Sequence, residues 1–279
     1  MAEPVLTLQQ VADDLGVHYM TAYRYVRLGL LEATKVGGGW QITDSALADF
    51  RASREPGRPQ RLQSAPWSDR LESRLMAGDA AGAWGVIEAC LAGGMEIVDV
   101  YLSVLSPALR SIGERWATGQ IDIAIEHRAS GVASRLIGRL GSHCSRRGRS
   151  RGTIVLGAPA GERHSLVVAI LADLLRLEGW EVADLGADTP TASFLSVVAI
   201  TDDLVAVGLS VTNPDNLDAL SETCAALRAA GVGVPIIAGG QAVTGTDHAL
   251  ALGADGAATS VAGVAALLAA GGGASAQQG

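Results

Sequence analysis

Apolar and polar positions along this chain change rhythm three times. Near the start they run at helical spacing through Leu8, Val11 and Leu15, break at Gly16, and resume from about His18 to Leu28. Thr7-Leu8-Gln9-Gln10 has the S/T-x-x-E/Q form of a capping box and predicts a helix start. Gly29 is expected to end the second helix, and two short helices joined by a glycine-containing turn make a helix-turn-helix. LLEATKVGGGWQIT then reads as strand, three-glycine turn and strand, a wing, with Trp40 beside it. Thr43 or Asp44 caps a last short helix, DSALADF. Residues 51–66, RASREPGRPQRLQSAP, are rich in proline and arginine and nearly free of large apolar residues, so a linker is expected after a head of residues 1–50.

Helical spacing returns at Trp67 and persists to about His143, interrupted at Gly78, Gly93-Gly94 and Gly119. Helices are expected near 68–77, 79–92, 95–117 and 121–142, and a four-helix bundle over residues 67–148 is the simplest packing for them. SHCSRRGRSRG reads as a solvated hinge. From Thr153 the rhythm changes again, to short β-branched runs alternating with helical stretches. TIVLGAP, WEVADLG, VAVGLSV, PIIAGG and DGAAT are five candidate strands. Alternating strands and helices with glycines at the strand ends predict a doubly wound, Rossmann-like parallel sheet over residues 151–270. The last residues, 271–279, read as a disordered tail.

Charge changes this picture in one place. The chain carries a net charge of −8, yet residues 1–61 hold seven Lys/Arg against seven Asp/Glu, so the excess acid lies wholly in the rest. A neutral head with arginine clusters permits nucleic-acid binding at that end. In a helix-turn-helix the second helix enters the major groove, which makes Tyr19, Thr21, Ala22 and Arg24 the expected reading face. Arg27 and Lys35 are expected at phosphates. Three widely spaced cysteines suggest neither a disulfide framework nor a zinc knuckle. No apolar run approaches the roughly 20 residues of a membrane span, and MAEPVLTLQQ is unlike a signal peptide. A cytoplasmic protein without a membrane partner is expected.

In an open parallel sheet, ligands sit outside the carboxyl ends of the strands. There the sequence places Glu162 and His164 after the first strand, Ser210-Val211-Thr212-Asn213-Pro214 after the third, and Gly239-Gly240 after the fourth. Neither GxGxxG nor a Walker loop is present, so a dinucleotide is not favoured. A histidine two residues after a carboxylate can be a metal ligand whose other ring nitrogen the acid holds. A second cluster lies in ERWATGQIDIAIEH, where Trp116 is followed by Glu126-His127. His18 reads as a residue beside DNA or in solvent, His143 as one near the hinge and His248 as one on a surface helix, and the cysteines as small apolar core.

These residues carry a family resemblance. The head resembles that of MerR-type and excisionase-type regulators, without the long dimerising helix of MerR proteins. Glu162-Arg163-His164, Ser210-Val211-Thr212 and Gly239-Gly240 resemble the cobalamin-binding pattern Asp/Glu-x-His-x-x-Gly, Ser-x-Thr, Gly-Gly, with Val167 where that pattern has glycine. Trp116, Glu126 and His127 match the Trp-x9-Glu-His spacing of light-sensing regulators of the CarH and LitR type. The resemblance implies adenosylcobalamin with His164 as the lower cobalt ligand. Ser210 and Thr212 would bond to the nucleotide tail, and Gly239 and Gly240 would leave room for it. Trp116, Glu126 and His127 would pack on and orient the adenosyl group. It further implies a transcriptional regulator rather than an enzyme, most simply a repressor. Its partners would be a double-stranded DNA operator and further copies of itself, as dimer or tetramer, and light would break the cobalt–carbon bond and end DNA binding.

One departure bears on that chemistry. In the best-understood members a histidine follows the tryptophan and takes the upper cobalt position once the adenosyl group has left; here that residue is Ala117, which coordinates nothing. Water, His127 or His143 could fill the position. Two alternatives therefore stand beside the light-responsive reading: a cobalamin-responsive regulator independent of light or assisted by a bilin as second chromophore, and a corrinoid carrier for methyl transfer.

Overall fold

The computed structural model describes residues 5–15, 22–23, 25–26, 31–36, 39–52, 67–144 and 148–275. By its internal contacts the chain divides into two compact units, Met1–Val132 and Ala133–Gly279. The boundary falls inside a helix, not at the arginine-rich hinge.

In the first unit, β1 (Val5–Thr7) leads directly into α1 (Leu8–Asp14). The expected capping box is formed: Gln10 N donates to Thr7 Oγ1 at 3.3 Å, and Thr7 N donates to Gln10 Oε1 at 2.8 Å. β2 (Thr34–Val36) and β3 (Gly39–Thr43) make the wing, and β1 pairs with β3 on the other side. Two apolar residues in three was too short a run to announce β1 as a strand. Thr43 Oγ1 accepts from Ala46 N at 3.2 Å and caps α2 (Asp44–Ala52), which runs two residues into the stretch read as linker. Residues 53–66 lie outside the described residues.

Leu8, Val11, Ala22, Tyr25, Val26, Ile42, Leu47 and Phe50 form the core of this head, and Trp40 packs on it partly buried. Ala22 is fully buried, so its expected place on the reading face is wrong. Ala22, Tyr25 and Val26 recur at i, i+3 and i+4 and so make the inward stripe of the second helix. Tyr19, Thr21, Arg24 and Arg27 lie outside the described residues. Lys35 is exposed on β2, where a phosphate could reach it.

Helices α3 (Trp67–Ala77) and α4 (Ala80–Ala92) follow. The helix expected over 95–117 is instead three joined pieces: α5 (Ile97–Asp99), a π-helical stretch Val100–Leu105, and α6 (Ser106–Ala117). Val100, Tyr101, Val104 and Leu105 are all fully buried, so one face of this stretch turns into the interior of the helical region. α3 packs on α4, on the π-helical stretch and on α6. α7 (Ile123–Gly141) completes the helical region; the unit boundary lies within it.

The second unit is a parallel sheet of β4 (Thr153–Gly157), β5 (Glu181–Asp184), β6 (Leu204–Ser210), β7 (Ile236–Gly239) and β8 (Gly256–Ala257), in the order β5-β4-β6-β7-β8. Between them run α8 (Ser165–Leu177), α9 (Thr191–Ile200), α10 (Leu217–Ala229) and α11 (Thr246–Ala251), and α12 (Val261–Ser275) closes the unit. Successive residues of β4 serve opposite faces: Val155 packs with Phe194, Leu220 and Leu227, while Ile154 and Leu156 pack with Val168, Leu175 and Val264. The Rossmann-like architecture is as expected. The first part of the expected tail is helical: α12 continues through Ser275, where an alanine-rich approach with high helix propensity outweighs three glycines, and residues 276–279 lie outside the described residues.

No helix among the described residues is long and apolar enough to cross a membrane. Phe194 is fully buried, and a Cβ at Gly157 would lie 2.8 Å from its ring. Phe194→Ala is therefore expected to lower unfolding free energy by about 3–5 kcal/mol, read by urea denaturation of the full chain. A loss below about 1 kcal/mol would contradict this packing.

Candidate functional site

β4 has β5 on one side and β6 on the other, so the chain leaves its carboxyl end at a topological switch point. The loop of residues 158–164 emerges there. It is zipped to the loop after β5: Ala158 N donates to Gly186 O, Thr189 N to Ala158 O and Asp188 N to Glu162 O, at 2.7–3.0 Å. Gly161 N donates to Asp188 Oδ1 at 2.7 Å. On its other side, Glu162 reaches the loop after β6.

Glu162 is 1% exposed. Its Oε2 accepts from Thr212 N at 2.8 Å, Asn213 N at 2.9 Å and Asn216 Nδ2 at 3.3 Å. Its Oε1 accepts from His164 N at 3.1 Å and contacts Nδ1 of the His164 ring. Burial by itself would raise the carboxyl pKa. The Asn213 amide, the His164 ring and the Thr212 and His164 amides outweigh that and hold the pKa at about 2. An ionised carboxylate only accepts, so the Nδ1 facing it carries the proton, and a neutral imidazole then has its lone pair on Nε2. The His164 side chain is 49% exposed. The chain thus presents an oriented imidazole whose Nε2 suits a metal.

His164 is the N-cap residue of α8. Val167, two residues into that helix, is 41% exposed, so the side chain that replaces the pattern's glycine stands at the surface. Near it, Ser165 and Leu166 of α8, Ile137 and Gly138 of α7, and Asp184 and Gly186 wall a cavity of about 480 Å³ within the second unit. Ser210 is buried at the end of β6, opposite Gly239 of β7. A Cβ at Gly239 would lie 2.6 Å from the Ala258 carbonyl oxygen. At Gly240, with φ +96°, it would lie 2.2 Å from that of Val211. The chain itself therefore requires both glycines, whatever they leave free for a ligand.

Trp116, in the last turn of α6, is 44% exposed. Glu126 and His127 stand in the first turn of α7; His127 Nδ1 lies 2.6 Å from Glu126 Oε2, and Ser130 Oγ donates to Glu126 Oε1 at 2.6 Å. The His127 side chain is 72% exposed. The pair repeats the carboxylate–imidazole arrangement of Glu162 and His164, here on open helix surface. His248 bonds with Thr244 at 3.1 Å on α11, and the three cysteines are buried.

Asn213 and Asn216 were missed as partners of Glu162. The Asn-Pro-Asp-Asn run signals a turn, but no local pattern says that a turn about fifty residues away in sequence wraps a carboxylate. Among the described residues no group of three or more His, Cys, Asp and Glu side chains could hold a metal ion. A single imidazole fits a metal that brings its own macrocyclic ligands, as in a corrin.

Three stretches match known domain families. Residues 5–55 match a helix-turn-helix domain, and residues 67–140 and 152–268 each match a B12 binding domain. The chain is 29% identical over 181 residues to the HTH-type transcriptional repressor CarH of Myxococcus xanthus, covering 64% of this chain and 58% of that protein. It is 29% identical over 157 residues to the HTH-type transcriptional repressor CarA of the same organism, covering 55% and 51%. It thus spans little more than half the length of either. The monomethylamine corrinoid protein of Methanosarcina barkeri superposes with a TM-score of 0.63 at 17% identity, over 72% of this chain and 96% of that one, a likeness of fold.

The lowered pKa of Glu162 sets a pH window. Its contribution to stability is complete above its usual pKa of 4.5 and is lost as pH falls through about 2. The stability difference between wild type and Glu162→Gln, from urea unfolding of the cofactor-free chain, should be constant above pH 4.5 and shrink toward pH 2. A difference flat across that window would show that Glu162 is not held by these donors.

Proposed function

This chain is a homologue of the helix-turn-helix repressors CarH and CarA and carries two B12-binding segments; from that premise we propose that it is an adenosylcobalamin-dependent, light-responsive transcriptional regulator, acting as a repressor. The observation that carries this reading is the Glu162–His164 pair at the sheet's switch point, with Nε2 of His164 free for cobalt. His164 would hold the cofactor from below, with Glu162 fixing the ring. Ser210 and Thr212 would bond to the nucleotide tail beside Gly239 and Gly240. Trp116 would pack against the adenosyl group, and Glu126 and His127 would orient it by hydrogen bonds. When bound, the cofactor supplies a cobalt–carbon bond that visible light breaks.

The head would bind a double-stranded operator through the second helix of its helix-turn-helix, Tyr19, Thr21 and Arg24 included, with Arg27 and Lys35 on phosphates. Dark and light forms would differ in assembly because only one of them accommodates the adenosyl group, a two-state interface biased by a small ligand. Ala117 leaves no side-chain donor at its own position, so any protein ligand to the upper face in the light must come from elsewhere in the chain. A corrinoid carrier is the second reading, favoured by the fold likeness to the monomethylamine corrinoid protein. The match of residues 5–55 to a helix-turn-helix domain weighs against it.

His164→Ala is expected to weaken adenosylcobalamin binding by roughly tenfold or more, the scale of losing an oriented metal contact. The spectrum of what remains bound should shift to the form without a histidine ligand. An unchanged spectrum removes His164 from the assignment. Sizing the loaded wild type in the dark and after green light tests the light response, for which a change in both spectrum and size is expected. No change in either supports the light-independent alternative.

A further inference from the structure

The segment from Trp116 at the end of α6 to Glu126 and His127 at the start of α7 is tied to α3 at both its flanks. Arg115 directly precedes Trp116, and its Nε lies 2.9 Å from Oε1 of Glu72, a carboxylate buried in α3. The approach is off the hydrogen-bond line, so Oε1 has this ion pair but no aligned hydrogen bond among the described residues. Arg128 directly follows His127, and its Nη2 donates to the main-chain carbonyl of Met76. Glu72 and Met76 stand at i and i+4 on α3, one helical turn apart on one face.

Each contact has its own physical reason. Met76 lies in the last turn of α3, whose carbonyls have no partner within the helix, and a guanidinium there also meets the negative end of the helix dipole. Gly78 opens the way: its φ is +73°, and a Cβ there would lie 2.7 Å from Cδ of Arg128. Arg128 thus lies across the turn between α3 and α4, over a position that only glycine leaves clear. Arg115 compensates a carboxylate that burial would otherwise leave uncompensated. The turn between the two arginines is closed separately: Gln120 N donates to Arg115 O at 2.8 Å, and Asp122 Oδ1 accepts from Ala124 N at 2.7 Å. Both arginines are solvent-exposed, so neither is needed to fill the core.

We propose that Arg115 and Arg128 are positioning residues: by gripping α3 one turn apart, they fix the separation between Trp116 and the Glu126–His127 pair, and thereby the selectivity for the group on the cofactor's upper face. The inference rests on the adenosylcobalamin reading above. Trp116 supplies a flat apolar surface and Glu126–His127 a polar edge. One group can use both only if their spacing is held, and a locked supporting layer is what holds it. A smaller upper group that does not span them gains nothing from the spacing.

The test compares dark binding of adenosylcobalamin and methylcobalamin by the full chain. For wild type a clear preference for adenosylcobalamin is expected. Arg128→Met should reduce that preference by roughly tenfold, about the worth of one displaced polar contact, with methylcobalamin affinity and melting temperature nearly unchanged. Arg128→Lys can still donate to one carbonyl and should recover most of the preference. Glu72→Gln/Arg115→Met, which removes both charges together, should reduce it as Arg128→Met does. An undiminished preference in Arg128→Met, an equal loss for both cobalamins, or a lysine variant no better than methionine overturns the proposal. A wild type that binds both cobalamins equally overturns the adenosylcobalamin reading and this inference with it.

Discussion

One buried carboxylate organises the ligand-facing edge of the α/β unit. Glu162 takes hydrogen bonds from backbone amides of two loops, from the Asn216 amide and from an imidazole, and so joins the loop after β4 to the loop after β6. Burying an ionised group is costly unless it is paired and hydrogen-bonded, and here its acceptor positions are well used. The same donors that keep it charged decide which nitrogen of His164 carries the proton. Burial, loop closure and ligand orientation are therefore one arrangement. Only a half-exposed ring with a free Nε2 faces outward from it.

The helical region shows a second carboxylate–imidazole pair built with less support. Glu126 has one neighbouring hydroxyl as donor and lies within a helix turn, and His127 is largely in solvent. The stiffness missing at the pair itself is supplied from behind, by arginines fastened to α3. The π-helical stretch Val100–Leu105 lies in the same helix as Trp116, in the interior of the helical region. It sets the face on which the rest of that helix emerges, since each π-turn shifts the helical phase relative to an α-turn.

Much of this was legible in the sequence because it rests on local rules. The capping box at Thr7, the wing around its glycines, the helical spacing after Trp67 and the five β-branched runs each follow from side-chain period and turn chemistry. What was not legible depends on neighbours in space. β1 becomes a strand only because β3 is there to pair with it. Ala22 is small and sits among polar residues, but its stripe with Tyr25 and Val26 turns it into the core and away from DNA. The helix through Ser275 shows alanine propensity prevailing over a glycine run read as a stop. At the site, the spacing Glu162-x-His164 was visible, whereas the donors that give the pair its chemistry come from residues 212–216. The glycines at 239 and 240 were visible as well, but their physical reason, the carbonyls of Ala258 and Val211, was not.

Glu162 fixes His164 as the tautomer with its proton on Nδ1, which leaves Nε2 unprotonated and open to a ligand. Nitrogen-15 NMR of the histidine ring in the cofactor-free chain, assigned with His164→Gln and recorded where the ring is neutral, observes this directly. A protonated, hydrogen-bonded Nδ1 and an unprotonated Nε2 are expected in wild type, with that bias lost in Glu162→Gln. A proton on Nε2 in wild type would contradict it.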